Sequence, residues 1–182
     1  LKGETALLEE VALRSKLLRC AVVCGCYTDA RGIRRKSAVV AERGRILGVS
    51  DLTNHIDGSE YGSGAGVKVY ETAAGRLGVV VGEDLCFPKV IETLSLSGAD
   101  AVLCIFEELN EGLELMLIRA QAFFYGLPVA LCGFGYAAVA DAAGRLAFAS
   151  PALVGRFTLP REREYRLIET RRRLMLRQKK EF

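Results

Sequence analysis

The residues of this chain that could carry out chemistry stand directly after an apolar run at residues 79–81. Glu83 and Asp84 are followed two positions later by Cys86. A cysteine with a carboxylate within hydrogen-bond reach can act as a nucleophile assisted by a general base. Because Glu83 and Asp84 are adjacent, however, their side chains point to opposite sides at a strand end and make a poor acid/base pair. The sequence therefore favours a partly buried structural thiol at Cys86 over a catalytic one.

Other chemistry-bearing residues also have a simpler interpretation. His55 is the single histidine and stands in a polar segment, which favours a solvated residue over a base or a metal ligand. Cys20, Cys24 and Cys26 share one face of a predicted strand, but they lack the CxxC spacing and the fourth ligand of a zinc site, so we expect core packing. The glycine-rich stretches at 62–66 and 133–135 do not open predicted helices, so we expect loops rather than phosphate-binding cradles.

Positive charge is concentrated at the C-terminal end of the sequence. Residues 161–182 hold nine Arg or Lys and four Glu, a local net charge of +5, whereas the remainder carries −2. This run could contact nucleic acid. Its basic residues are interleaved with apolar ones, which favours a tail that docks on a partner subunit. The apolar residues are Leu167, Ile168, Leu174, Met175 and Leu176.

Composition excludes several classes of protein. The chain has 182 residues, of which 51% are hydrophobic, enough for the core of one domain. No apolar run reaches the roughly 18–20 residues of a membrane span, and residues 1–10 do not form a signal peptide. The six cysteines lie mostly within apolar runs, which predicts buried, reduced thiols and a cytoplasmic protein.

The hydrophobic pattern predicts a layered α/β domain. We expect helices at 4–18, 88–97 and 113–125 and buried strands at 20–25, 77–81, 101–105 and 129–132. Residues 27–35 read as a turn. Hairpins are predicted for 37–49, 67–81 and 136–149, and one more strand for 153–159.

The stretch at residues 75–88, GRLGVVVGEDLCFP, resembles the nucleophile segment of the nitrilase, or carbon–nitrogen hydrolase, superfamily. In that family a strand of type G-x-[IL]-G-x-x-[IV] runs into C-x-D-x-x-[FY]-P. The pattern matches at Gly78, Asp84, Phe87 and Pro88. The family's catalytic cysteine falls on Gly82, which has no side chain and cannot attack carbon.

The resemblance extends along most of the chain in the family's order. It includes a hairpin at 37–48, the strand pair at 69–78, the strand start at 97–103, the helix and strand at 119–129 and the hairpin at 140–146. The family uses a glutamate as general base, a lysine for the oxyanion and a cysteine as nucleophile. The resemblance implies that the glutamate would precede residue 1. It places the lysine in residues 48–55, which contain none. It also implies that Asp84 makes local hydrogen bonds that hold the fold.

These observations predict a nitrilase-like αββα sandwich at 1–160, incomplete at its N-terminus, followed by a basic tail at 161–182. We expect a domain that has lost the Glu-Lys-Cys triad and has a structural, regulatory or ligand-binding role. The alternative is an active amide or nitrile hydrolase that uses Cys86, Glu83 or Asp84, or is completed by a further N-terminal segment. We predict no cofactor or metal, no membrane contact, a small-molecule ligand, and a homodimer, since the family pairs subunits through its helical face.

Overall fold

The computed structural model describes residues 4–54, 60–107, 111–151 and 156–158. These contain three α-helices, nine β-strands and one 3-10 turn. The helices are α1 (Glu4–Leu18), α2 (Pro88–Leu96) and α3 (Glu111–Tyr125). The strands are β1 (Val22–Ala30), β2 (Ile33–Glu42), β3 (Arg45–Asp51), β4 (Lys68–Thr72), β5 (Gly75–Val81), β6 (Ala101–Ile105), β7 (Val129–Gly133), β8 (Tyr136–Ala140) and β9 (Leu146–Ser150). The 3-10 turn is Gly82–Cys86.

The first sheet has three antiparallel strands in the order β1-β2-β3. Its central strand β2 is buried on both faces, because successive side chains point to opposite sides. Ala38 and Val40 pack between the two sheets, while Val39 and Ala41 pack beneath α1, against Val11. This strand therefore joins α1 to the rest of the core.

The second sheet has six strands in the order β4-β5-β6-β7-β8-β9. The central strands β5, β6 and β7 are parallel, and each flanking pair is antiparallel. Parallel neighbours need a crossover connection, and α2 and α3 supply the two crossovers. Both helices cover the outer face of this sheet, where Ile91, Leu94, Ile118 and Ala122 are fully or almost fully buried.

The two sheets pack face to face through a smaller cluster that includes Leu52, Tyr70, Val79 and Val81. Helix α1 lies on the far side of the first sheet, and α2 and α3 lie on the far side of the second. The layers therefore follow the order αββα, which confirms the predicted α/β sandwich. The three helices and the strands of the 37–49, 67–81 and 136–149 hairpins also lie where they are predicted, within a few residues at their ends.

Three expectations were wrong. Strand β1 begins at Val22 and continues through residues predicted to form a turn, so that only Arg31 and Gly32 separate it from β2. It lies at the edge of its sheet and is half-buried, not buried. Cys104 is the single buried thiol among the six cysteines, and Cys20 and Cys132 are exposed. Residues 156–158 do not form a strand, and the other residues of the strand predicted at 153–159 lie outside the described residues.

Candidate functional site

The site is built on the sharp turn that joins β5 to α2. Val81 ends β5 in extended conformation, and Gly82 follows with φ of 51°, in the left-handed region that a glycine adopts at little cost. A Cβ atom placed on Gly82 would approach Leu52 Cδ1 at 3.9 Å and meet no closer atom. The position at which the sequence motif predicts a nucleophile therefore has open space beside it but carries no side chain, and a side chain there would be strained by the positive φ.

Asp84 holds this turn against the segment that follows β3. Its side chain is 1% exposed and accepts four hydrogen bonds of 2.8 Å. The donors are the backbone N–H and hydroxyl of Thr53 and the backbone N–H and side-chain amide of Asn54. A carboxylate that is occupied by four donors is unsuited to take a proton, so the geometry supports the fold-holding role expected for Asp84.

Glu83 points away from Asp84 and forms an ion pair with Lys36. Lys36 Nζ lies 3.4 Å from Glu83 Oε1 and 5.7 Å from the centre of the Tyr61 ring. Glu83 Oε2 is buried and accepts no hydrogen bond from the described part of the chain. The two carboxylates stand in the 3-10 turn rather than at a strand end and have different partners, and Glu83 is paired with a lysine rather than with Cys86.

Lys36 is a functional candidate that the sequence analysis did not identify. The family resemblance indicates a lysine in residues 48–55, whereas Lys36 stands on β2, one residue before the hairpin predicted at 37–49. Strand parity is the signal that could have identified it, because Lys36 has the same parity as Ala38 and Val40, whose side chains face the second sheet. A lysine at the end of that row reaches the turn that follows β5, where Glu83 lies.

Cys86 is half-buried at the end of the 3-10 turn. Burial, the negative charge of Glu114 and that of Glu83 each raise the pKa of its thiol above the usual value. The thiol is therefore protonated at neutral pH, whereas a catalytic cysteine needs a depressed pKa. Glu114 lies on α3 and is buried, so one of the negative charges that act on the thiol belongs to a residue distant in sequence.

A tyrosine pair lies at the rim of the site. The rings of Tyr27 and Tyr61 stack with centroids 5.4 Å apart. The hydroxyl of Tyr27 donates a hydrogen bond to Glu107, which follows β6. This hydrogen bond raises the pKa of Tyr27 above its usual value, and burial is a smaller cause. The turn therefore carries the negative charges of Glu83 and Glu114, which both act on Cys86, and Lys36 is paired with Glu83.

Such a charge balance opposes acyl-transfer chemistry. A thiolate nucleophile and a tetrahedral oxyanion are both negative, and nearby carboxylates destabilise both. Gln121 commits one N–H of its Nε2 to Leu85 O at 2.5 Å, and its buried Oε1 is a further acceptor that meets no donor in the described part of the chain.

The other residues that could have carried chemistry have structural positions where they are described. The described residues contain no group of three or more His, Cys, Asp or Glu side chains that could hold a metal ion. Cys24 and Cys26 pack on the face of β1 beneath α1, whereas Cys20 precedes the strand. Phe134 and Gly135 form the tight turn between β7 and β8, and residues 62–66 form a loop. His55 and the basic tail lie outside the described residues.

No protein-family profile and no curated protein matches the sequence. Solved structures of the nitrilase superfamily and related enzymes do match in fold. A carbon–nitrogen hydrolase from Helicobacter pylori G27 superposes with a TM-score of 0.69 at 20% identity, covering 82% of this chain and 67% of that one. Nit3 of Saccharomyces cerevisiae, a member of branch 10 of the nitrilase superfamily, gives 0.74 at 15% identity, over 80% and 60%. An amidase from Nesterenkonia sp. AN1 gives 0.72 at 18% identity, over 93% and 75%.

These comparisons define the class of architecture: the chain has the nitrilase, or carbon–nitrogen hydrolase, fold. It spans 60% of the yeast protein and 75% of the amidase. Among the described residues no helix is both long enough and apolar enough to pass through a bilayer.

Proposed function

We propose that this domain is a carbon–nitrogen hydrolase relative that has lost catalysis and retains a structural, regulatory or ligand-binding role, in the cytoplasm. The observation that carries the proposal is Gly82, which occupies the turn after β5 with open space where a nucleophile would stand. In a structure of the Nesterenkonia amidase, acrylamide is attached by Michael addition to the active-site cysteine. No such covalent chemistry is available to a glycine.

The surroundings of Gly82 support the same conclusion. Lys36, a cation at the turn, is paired with Glu83. Loss of one oxyanion-stabilising donor alone costs about 2.7–4 kcal/mol of transition-state stabilisation, and loss of the covalent nucleophile adds to that cost. A site without a thiol and with a neutralised lysine therefore lacks the means to hydrolyse an amide or nitrile.

Catalysis by substituted residues is the alternative, and Cys86 would be its nucleophile. The raised pKa of Cys86 leaves the thiol protonated at neutral pH. Asp84 is saturated by Thr53 and Asn54, and Glu83 is paired with Lys36, so neither carboxylate is poised as a base. Each of these observations weighs against a migrated nucleophile.

The role that remains to the site is binding. Gly82 leaves space beside Leu52, and Glu83 Oε2 offers a buried acceptor next to the Tyr27–Tyr61 stack. A small molecule with a hydrogen-bond donor would satisfy that acceptor and stack on the tyrosines. This geometry supports a small-molecule ligand held without covalent chemistry.

We also propose that two copies pair through the outer face of α3. This face exposes Leu113, Met116, Phe123 and Phe124, of which Phe124 is 61% exposed. Beside them is a shallow depression of about 430 Å³ between α3 and the turn at Ala143. A two-fold pairing places the same surface on both partners, so an apolar ridge beside an apolar depression is self-complementary.

Turnover of a panel of small amides and nitriles tests the loss of catalysis. The wild-type chain and Cys86→Ala are assayed side by side at pH 7 and pH 9, because a thiol with a raised pKa ionises only at the higher pH. The proposal expects no turnover above the buffer rate in either protein. Turnover that is present in the wild type and absent in Cys86→Ala would establish Cys86 as a nucleophile.

A further inference from the structure

The 3-10 turn that follows β5 packs against one face of α3. Glu114 and Gln121 are two helical turns apart on this helix, so their side chains lie on the same face. Both are buried, with 7% and 3% of their surface exposed. Gln121 Nε2 donates a hydrogen bond to Leu85 O, and the charge of Glu114 acts on the thiol of Cys86. Two buried polar side chains of α3 therefore stand against the end of the turn.

Two buried acceptor oxygens at this turn meet no donor in the described part of the chain. One is Gln121 Oε1, whose amide group is fixed by the bond to Leu85 O. The other is Glu83 Oε2, whereas Glu83 Oε1 forms the ion pair with Lys36. Buried polar atoms in folded proteins nearly always have a hydrogen-bond partner. The two oxygens therefore indicate a donor that comes from outside the chain.

The electrostatic field at the turn is negative. Side chains three residues apart in a 3-10 turn lie on the same face, so Glu83 and Cys86 share a face. The negative charges of Glu114 and Glu83 both raise the pKa of the Cys86 thiol. Lys36 is already paired with Glu83, and the charge of Glu114 adds to that of Glu83 at the thiol. A cation is attracted to such a place and an anion is repelled.

The turn is open to a small molecule. A Cβ atom placed on Gly82 would find Leu52 Cδ1 at 3.9 Å as its nearest neighbour, so there is unfilled space beside the turn. The side chain of Glu83 is 37% exposed and Cys86 is half-buried, so the turn can be reached from solvent. The donor that fits must therefore be small as well as positively charged.

We propose that the turn binds a small primary amine in its protonated form, and that the ammonium group donates hydrogen bonds to Glu83 Oε2 and Gln121 Oε1 beside the charge of Glu114. An ammonium group has three N–H donors and one positive charge, so it supplies the donors that these acceptors lack and offsets the negative field. The inference rests on the proposed non-covalent binding role of the site, and it names the class of ligand.

Calorimetric titration of the full chain with methylammonium chloride, at constant ionic strength, tests the proposal. We expect saturable binding of methylammonium and none of tetramethylammonium, which has the same charge but no N–H donor. Acetamide, a neutral donor, should bind more weakly than methylammonium. Glu83→Gln and Glu114→Gln each remove one charge and keep the shape of the side chain, so each should weaken methylammonium binding about ten-fold.

Glu71→Gln is the matched control. Glu71 is exposed and forms an ion pair with Arg76 at 2.8 Å, so this variant loses the same charge and also breaks an ion pair. Its affinity for methylammonium should equal that of the wild type. Circular dichroism checks the folding of each variant. Because Glu83 is partly exposed, Glu83→Gln decides the question even if Glu114→Gln does not fold.

Four results would overturn the proposal. They are the absence of saturable methylammonium binding, equal binding of tetramethylammonium, an affinity that is unchanged in the folded charge variants, and acetamide binding as tight as that of methylammonium. The last of these would leave a neutral ligand at the site and so keep its binding role. Turnover plays no part in this titration, so the loss of catalysis is decided separately, by the panel of amides and nitriles.

Discussion

Replacement of Asp84 is the perturbation for which the structure gives the clearest magnitude. The carboxylate is buried and accepts four hydrogen bonds, two of them from backbone N–H groups of Thr53 and Asn54. A hydrogen bond to a charged group contributes about 1.5–3 kcal/mol, and contributions within one network are not additive. Asp84→Ala also leaves buried donors without an acceptor. We expect it to lower the free energy of unfolding by about 3–5 kcal/mol.

Urea denaturation followed by circular dichroism measures this loss, as a lower midpoint with an unchanged slope. Asp84→Asn should lie between the wild type and Asp84→Ala, because the amide keeps one acceptor oxygen and turns an NH2 group towards the remaining donors. Asp29→Ala is the matched control, since Asp29 is half-buried and accepts an exposed hydrogen bond from Gly32 N. A destabilisation by Asp84→Ala within about 1 kcal/mol of the control would refute the fold-holding role.

Three further predictions concern the site, the sheet interface and the helical face. Gly82→Cys should not restore hydrolysis, and alkylation rates across pH should show that the pKa of its thiol does not fall below the free value of about 8.5, because Lys36 is already paired with Glu83. Gly48→Ala should lower the free energy of unfolding by about 1–3 kcal/mol in urea titration, because the added Cβ would lie 2.9 Å from Tyr70 Cε1 in the core between the sheets. Phe124→Glu should dissociate the dimer and so halve the mass found by light scattering, without changing the melting temperature of the monomer. An unchanged mass would show that α3 is not part of the dimer interface.

The fold was predictable where apolar patterning was unambiguous. Residues 38–41 are apolar without alternation, which is typical of a strand buried on both faces, and β2 is such a strand. The same reasoning failed for β1. Its apolar residues at 22–24 also form a continuous run, but the strand is at a sheet edge, and sequence alone does not state how many neighbours a strand will have.

The site was predictable at the turn itself and not beyond it. The motif placed Gly82 and Asp84, because both are local to the strand–turn–helix unit. It could not supply the four donors to Asp84, which come from residues 30 and 31 positions away. Nor could it supply Glu114, since a glutamate in the first turn of a helix is normally solvated, whereas this one is buried and raises the pKa of Cys86.

The central claim, that no activated nucleophile remains, is tested most directly by the pH dependence of thiol reactivity across the whole chain. All six cysteines lie in the described residues, and burial raises the pKa values of Cys24, Cys86 and Cys104. Site-resolved alkylation between pH 5 and pH 10 gives the pKa of each accessible thiol. The account predicts that the raised pKa values of Cys24, Cys86 and Cys104 keep these thiols protonated at pH 7, and that the alkylation of Cys86 accelerates only at alkaline pH. Half-ionisation of Cys86 below pH 7 would show a thiolate stabilised at the turn and would contradict the loss of catalysis.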